Sequence, residues 1–278
     1  SYRIDNGEWH SETEILKVDQ DIRQHFDLDY RGGEMIQPWY AQKYDRDVKE
    51  INGHINIAFD FYIVDMPDKE IDLIIERPFN FTIIINNKPL SLANINGWWI
   101  DKCFKRVTIP EDYLKEGRNT VEIETDFHKG IDLEALYLIG DFAVDLNGTK
   151  KIITELPEKI EVGDLTEQGF PFYSGIVTYK LNIKDDFLSK EKLYVSIPEF
   201  EAACINVKST VKSDMIAWQP YEADITDLVE DNDEIELDII LTRRNTFGPL
   251  HQVPVLAPGY GPGNFVTGGD NYSSDYML

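Results

Sequence analysis

The sequence predicts an all-β protein made of two antiparallel β-sandwiches that are related by internal duplication. The first observation is an internal repeat, in which the passage that begins at Gly53 returns at Gly175, an offset of 122 residues. The second is a regular alternation of apolar and polar residues, which is typical of strands with one buried and one solvated face. The third is the near absence of helical periodicity.

The repeat extends through most of each copy, and small loop deletions shorten the second one. Neither copy carries a recognisable catalytic motif, so the repeat favours paired β-sandwich modules over a self-contained enzyme. The corresponding pairs are Ile85 and Val207 at an offset of 122, Ile109 and Thr226 at 117, and Val121 and Ile235 at 114.

The alternation defines the strands in both copies. Residues 55–63 and 121–127 place apolar side chains on one face and polar ones on the other, and residues 177–184 and 235–241 repeat this in the second copy. Helical signals are limited to a short helix over residues 20–26, a single turn over residues 110–114, where Pro opens the turn and Gly117 follows it, and the parallel segment 226–229 in the second copy.

The chain is strongly acidic, with 51 Asp and Glu against 27 Lys and Arg and a formal net charge of −24. A surface of that charge repels phosphate backbones and anionic lipids, so we expect neither a nucleic-acid nor a membrane partner. No apolar run approaches the ~18 residues of a membrane helix. Neutral ligands such as sugars remain compatible with this charge.

The two cysteines, Cys103 and Cys204, lie in different copies and do not suggest a disulfide scaffold or a zinc site. Free thiols slightly favour a reducing, cytoplasmic compartment. The chain opens on Ser1 rather than Met, and we expect a fragment of a longer protein, so localisation is left open.

Two domains are expected, residues 1–148 and 149–278, each long enough to bury a core. The linker between them is predicted within residues 145–164, where the alternation lapses. The segment from residue 254 onward is rich in Gly and Pro and is expected to be irregular.

Several segments carry a family resemblance. In the first copy these are the strand and turn at residues 83–88, the Gly97-Trp98-Trp99 run and residues 109–121; residues 216–221, 224–228 and 234–237 follow in the second. This pattern resembles the galactose-binding-like jelly roll of glycoside hydrolase family 2 sugar-binding domains. The second copy departs from it at Lys208-Ser209 and at residues 231–233, which affects turn geometry more than fold.

A narrower resemblance covers nearly the whole chain. Residues 2–9, 163–175 and 243–251 are similar to blocks near the C-terminus of large bacterial glycoside-hydrolase-like proteins, some of them rhamnosidase-like. In that family the catalytic region lies N-terminal to the part present in this chain. The resemblance therefore implies a catalytic domain of the same protein as one partner and a carbohydrate as the other.

Aromatic and polar residues are the candidates for sugar contact, because sugars stack their CH faces on flat rings and hydrogen-bond through their hydroxyls. Adjacent strand residues point to opposite faces, so one ring of the Trp pair is expected in the core and the other exposed. The structural alternatives to sugar contact are favoured at these positions: packing of both rings of the Trp pair, packing of Trp218, and a structural ion pair for Arg244. The candidates are Trp98, Trp99, Tyr173, Trp218, Arg244, Asn245 and His251.

No catalytic residue is predicted. Glycoside hydrolysis requires two carboxylates roughly 5 to 10 Å apart, and no local motif selects a pair; Glu199 and Glu201 are better explained as a solvated face. No cofactor or metal is expected. A structural calcium ion is the alternative, because the acidic turns at residues 145–147 and 231–234 offer suitable oxygen atoms without EF-hand spacing.

We therefore expect an accessory, non-catalytic region of a bacterial glycoside hydrolase, which braces the catalytic domain and contributes to carbohydrate contact. An independent lectin-like module and a small complete glycosidase are the alternatives. If the Trp218 ring is a core residue, Trp218→Ala should cost about 3 to 5 kcal/mol of stability.

Overall fold

A computed structural model describes residues 1–31, 50–183, 192–210, 212–229, 234–243 and 245–248. Most of their regular structure is β-strand in several sheets, which confirms the expected all-β class. No helix within these ranges is long and apolar enough to cross a membrane. Arg244, His251, the turn at residues 231–233 and the segment from residue 254 lie outside the described residues.

The described residues form two compact units, Ser1–Pro171 and Phe172–Gly248. The elements in chain order are β1 (Tyr2–Ile4), α1 (Ile15–His25), β2 (Gly53–Ile63), β3 (Asp72–Glu76), β4 (Thr82–Ile85), β5 (Lys88–Pro89), β6 (Ile95–Trp99), β7 (Asp101–Thr108), β8 (Gly117–Phe127), β9 (Tyr137–Ile139), β10 (Ala143–Asn147), β11 (Lys150–Thr154), β12 (Ile176–Asn182), β13 (Tyr194–Ser196), β14 (Cys204–Lys208), β15 (Ser213–Ile216), β16 (Glu222–Asp224) and β17 (Glu234–Ile240).

The first unit contains two sheets. One has the strand order β10-β11-β2-β8-β4-β5, with β1 also paired to β2, and the other has the order β6-β7-β3-β9. Strands β2 and β8 pair over their full length, from Gly53 opposite Phe127 to Ile63 opposite Gly117. This long antiparallel pair keeps the apolar side chains of both strands on one face.

The core of the first unit takes side chains from both sheets and from α1. Ile57 and Ile123 come from the first sheet, Leu73 and Val107 from the second, and Ile22 from the helix. All five are at most 3% exposed. Burying one such side chain contributes about 1.5 to 3 kcal/mol, so the alternating pattern accounts for much of the stability of this unit.

Helix α1 begins earlier than the expected residues 20–26. It starts at Ile15 because the Glu14 carboxylate caps it, accepting hydrogen bonds from the backbone N–H groups of Leu16 (2.7 Å) and Lys17 (3.2 Å). The helix also buries the charged side chains of Asp19 and Arg23. Those charges interrupt the apolar stripe that sequence periodicity detects, which explains the shorter prediction.

The second unit contains a four-stranded sheet, in the order β12-β17-β14-β15, and a separate two-stranded sheet, β13-β16. Its core includes Ile205, Val207 and Ile235 from the larger sheet and Ala223 from β16, all at most 3% exposed. Residues 111–113 and 226–228 form single 3-10 turns before β8 and β17 respectively. Both lie where the sequence predicts a turn.

The first unit ends later than the expected boundary between residues 148 and 149. That position falls in the turn between β10 and β11, and β11 pairs in parallel with β2, Ile152 opposite Tyr62. The hairpin therefore belongs to the first unit, which extends to Pro171. The alternation lapses within residues 145–164 because little of this hairpin is buried, not because the chain has left the sheet.

Candidate functional site

Trp98 and Trp99 end strand β6, beside β7. The Trp98 side chain is 51% exposed and lies opposite Lys105 in the ladder. Trp99 is half-buried, and its ring centroid lies 6.2 Å from that of Phe104 and 5.7 Å from that of Tyr137. A ladder irregularity follows Gly97, whose φ of +123° favours glycine. The two adjacent rings therefore differ in accessibility.

Trp218 lies in the connection between β15 and β16 and is 75% exposed. The expectation that its ring is packed in the second core is therefore corrected. Tyr221, three residues further on, takes that role, because its ring contacts Phe200 at a centroid distance of 4.8 Å and packs against the core cluster of the second unit. Sequence alone did not distinguish the two rings, since both stand in the same irregular connection.

The Trp218→Ala variant should consequently lose less than about 1 kcal/mol of unfolding free energy, because surface substitutions remove few contacts. The matched control is Tyr221→Ala, which should lose at least about 2 kcal/mol by emptying part of the core. Urea unfolding followed by circular dichroism measures both. A larger loss for Trp218 than for Tyr221 would show that the assignments are reversed.

Two further candidates are described, in different segments of the second unit. Tyr173 is partly exposed, and its hydroxyl donates to the carbonyl oxygen of Ile176 at 3.1 Å. Asn245 is half-buried in a turn that the N–H of Gly248 closes by donating to its carbonyl oxygen at 3.0 Å. Both positions help to shape loops, and Arg244 and His251 stand outside the described residues.

A charged cluster beside Trp99 was not predicted from the sequence. Arg31 lies 2.5 Å from the Glu134 carboxylate and 3.7 Å from Asp132. Burial raises the pKa of Glu134, which nearby carboxylates raise further, while Arg31 opposes the shift. Burial, followed by repulsion from Glu134, likewise raises the pKa of Glu76.

This cluster extends along the face of the second sheet of the first unit. Glu76 lies opposite Phe104 in the β3–β7 ladder, and Ile74 lies opposite Tyr137 in the β3–β9 ladder. The pKa of Tyr137 is raised, mainly by burial and then by Glu134 and Glu76. Residues 31, 76 and 134 are far apart in sequence, so no local motif could have indicated that they are neighbours.

Metal ligation receives no support from the described ranges, which contain no group of three or more His, Cys, Asp or Glu side chains suited to hold an ion. Cys103 is exposed and Cys204 half-buried, and both are free thiols. Burial and the charge of Glu76 raise the pKa of Cys103 to about 11, so it is a poor nucleophile at neutral pH.

No protein-family model matches the chain, and no curated protein matches it significantly. The residues themselves therefore carry the functional inference. The features most suited to recognition are Trp98 and Trp218, the most exposed tryptophan of each unit among the described residues, since large exposed aromatic side chains are typical of binding surfaces.

Proposed function

We propose that this chain is an accessory, non-catalytic β-sandwich region of a glycoside hydrolase, which binds carbohydrate through Trp98 and Trp218 and braces the catalytic domain. The observation that carries the proposal is the exposure of these two side chains, 51% and 75%, one in each unit. Trp98 precedes β7 and Trp218 precedes β16.

The proposal includes an origin by duplication and a galactose-binding-like jelly-roll fold, and the strand orders support both. The order β2-β8-β4-β5 in the first unit corresponds to β12-β17-β14-β15 in the second. The β3–β7 pair likewise corresponds to β13–β16, and a 3-10 turn lies before β8 in the first unit and before β17 in the second. Two unrelated sandwiches would rarely share this whole sequence of elements.

Residue pairings support the duplication at a finer level. Phe59 lies opposite Val121, and their counterparts Leu181 and Ile235 lie opposite each other in the second unit. Leu181 follows Phe59 by 122 residues and Ile235 follows Val121 by 114, which are the offsets expected from the sequence.

Cross-strand hydrogen bonds correspond as well. The Asn56 side chain donates to Glu124 at 2.7 Å, and the Thr178 hydroxyl donates to Asp238 at the same distance. Thr178 follows Asn56 by 122 residues, and Asp238 follows Glu124 by 114, so the same two offsets apply.

The counterpart of Ile109 in the second unit differs by one residue from the one expected from sequence. The backbone N–H of Ile109 donates to Ile71 at 3.0 Å, and that of Ile225 donates to Leu193 at 2.8 Å. This relates Ile109 to Ile225 rather than to Thr226, the partner expected from sequence. The difference lies beside a 3-10 turn, where a one-residue shift leaves both strands in place.

The chemistry of the two tryptophans fits a neutral polysaccharide. A flat indole presents a large apolar face and one N–H donor, which suits the apolar CH face and polar edge of a pyranose ring. The net charge of −24 disfavours acidic polysaccharides.

Retention on polysaccharides tests the proposal. Trp98→Ala and Trp218→Ala should each weaken binding by about 10- to 30-fold, equivalent to about 1.4 to 2 kcal/mol, and the double variant should abolish retention. Phe79→Ala is the matched control, because Phe79 is 77% exposed and lies in neither tryptophan segment. A glycan array followed by calorimetry identifies the polymer.

The same preparations test the alternatives. No turnover of aryl glycosides is expected; turnover that Glu76→Gln abolishes would support a complete glycosidase instead. Absence of retention on every glycan, or retention unaffected by the double tryptophan variant, would overturn the carbohydrate contact that we propose. Binding by the isolated chain that an attached catalytic domain does not alter would favour the lectin-like module.

A further inference from the structure

A cleft at the end of the second sheet of the first unit suggests a separate ligand site. It has a volume of about 520 Å³ and is open to solvent. The segment before β3, the turn before β6 and the connection from β7 to β8 form its walls. Apolar side chains at Met66, Ile95, Pro110 and Leu114 contribute to its lining.

The polar side of the cleft is held in place by a hydrogen-bond network. The Asn96 side-chain amide donates to the Thr108 hydroxyl at 2.6 Å and to Asp72 at 3.5 Å. The Thr108 hydroxyl in turn donates to Asp72 at 2.7 Å, and Arg106 pairs with the other oxygen of the same carboxylate. Asp72 is 5% exposed, so the network is anchored on a buried group.

Asn94 is held similarly, because its side-chain amide donates to the carbonyl oxygen of Thr108 at 3.3 Å. Both asparagines therefore use their NH2 groups internally. Their side-chain oxygens accept no hydrogen bond from any residue that the structure describes. Asn94 is half-buried and Asn96 is exposed. An amide oxygen fixed in this way is a pre-oriented acceptor for a ligand hydroxyl.

The other charged side chains of the cleft define what the ligand must offer. Asp68, Glu70 and Glu111 are acceptors when ionised, and the Lys69 ammonium is paired with Asp141. Side-chain acceptors thus outnumber free side-chain donors, and the cleft is acidic. A suitable ligand must donate hydrogen bonds, must not be anionic, and must present an apolar edge to Ile95 and Leu114.

We propose that this cleft binds a neutral, hydroxyl-rich ligand of about one sugar ring, whose hydroxyls donate to the side-chain oxygens of Asn94 and Asn96. This rests on the proposed carbohydrate function and adds a second kind of site to it. The exposed tryptophans hold a polymer by stacking, whereas the cleft selects a single ring by hydrogen bonds.

Titration of the whole chain with D-glucose, D-galactose and D-mannose, followed by 1H–15N correlation spectra, tests the cleft. At least one sugar should shift the amide signals of the cleft residues in a saturable manner. The Asn94→Ala/Asn96→Ala variant should raise the Kd at least tenfold. Asn182→Ala, an exposed asparagine at the end of β12, is the matched control and should leave the Kd unchanged.

A second variant keeps the test valid if removal of the asparagines disturbs the fold. Ala93→Trp adds bulk at the cleft wall without removing any side-chain hydrogen bond, and it should also raise the Kd at least tenfold. Unchanged titrations in both variants would overturn the proposal. Tighter binding of D-glucosamine than of D-glucose would overturn the neutral ligand class in favour of a cation.

The Trp98→Ala/Trp218→Ala chain separates the two proposals. We expect it to lose polysaccharide retention while its cleft signals still titrate with the monosaccharide. If the unaltered chain retains polysaccharide but no monosaccharide shifts the cleft signals, the cleft proposal alone fails. If no saccharide of any length binds, both proposals fail.

Discussion

Arg23→Ala should lower the unfolding free energy of the first unit by about 3 to 5 kcal/mol, because the change leaves a buried carboxylate without its counter-charge. The Arg23 side chain is 5% exposed, and its Nε donates to Asp19 at 2.7 Å. Its Nη2 also donates to the carbonyl oxygen of Ile131 at 2.8 Å. Removing this guanidinium therefore leaves two buried acceptors without their hydrogen-bond donor. Urea unfolding measures the loss of unfolding free energy.

The matched control is Arg118→Ala. Arg118 is 63% exposed and pairs with Asp60 at 2.8 Å, so its removal should cost less than about 1 kcal/mol, as for most surface ion pairs. A double variant, Asp19→Leu with Arg23→Met, should recover much of the loss by replacing the ion pair with apolar side chains. Equal losses for Arg23→Ala and Arg118→Ala would contradict the structural role of the buried pair.

Glu14 should make the stability of the first unit depend on pH. Burial raises its pKa to about 7; the N–H groups of Leu16 and Lys17 oppose the shift, and Glu134 adds to it. Since this pKa lies above the unfolded value of 4.5, protonation favours the folded state. The stabilisation is fully present below pH 4.5 and is lost as the pH rises through 7, an effect of about 3 kcal/mol.

Glu14→Gln isolates this contribution, because the amide keeps an oxygen that can accept the capping hydrogen bonds but does not ionise. At pH 8 the variant should be more stable than the unaltered chain, by up to about 3 kcal/mol, and at pH 4.5 or below the difference should vanish. Unfolding curves across this pH range measure both. A variant that is less stable at pH 8 would show that the charged cap outweighs the cost of burial.

The strands of this protein are largely readable from its sequence. Period-two alternation identifies β2, β8, β12 and β17 and the face that each buries, because a strand with one solvated face must alternate. The alternation was less informative for β10 and β11, which bury few side chains. Helix α1 was predicted too short, because the buried charges of Asp19 and Arg23 do not look like core residues.

The candidate site was only partly readable. The sequence indicated Trp98 and Trp218 as candidate aromatic side chains, but it favoured packing for both of them. Exposure depends on which neighbours cover a loop residue, and that is a property of the fold. The cleft of Asn94, Asn96 and Thr108 was missed for a related reason, since its walls come from three separate segments.

By itself the sequence determined the all-β class and the acidic composition of the chain, and it predicted the spacing of the repeat. These follow from local alternation, from composition and from self-comparison, which need no knowledge of distant contacts. Only the tertiary structure decided where the first unit ends, which tryptophan rings are exposed, and how Arg23, Asp19 and the cleft residues meet. Those outcomes depend on contacts between segments far apart in the chain, and one residue's exposure or pKa is set by whatever the fold brings against it.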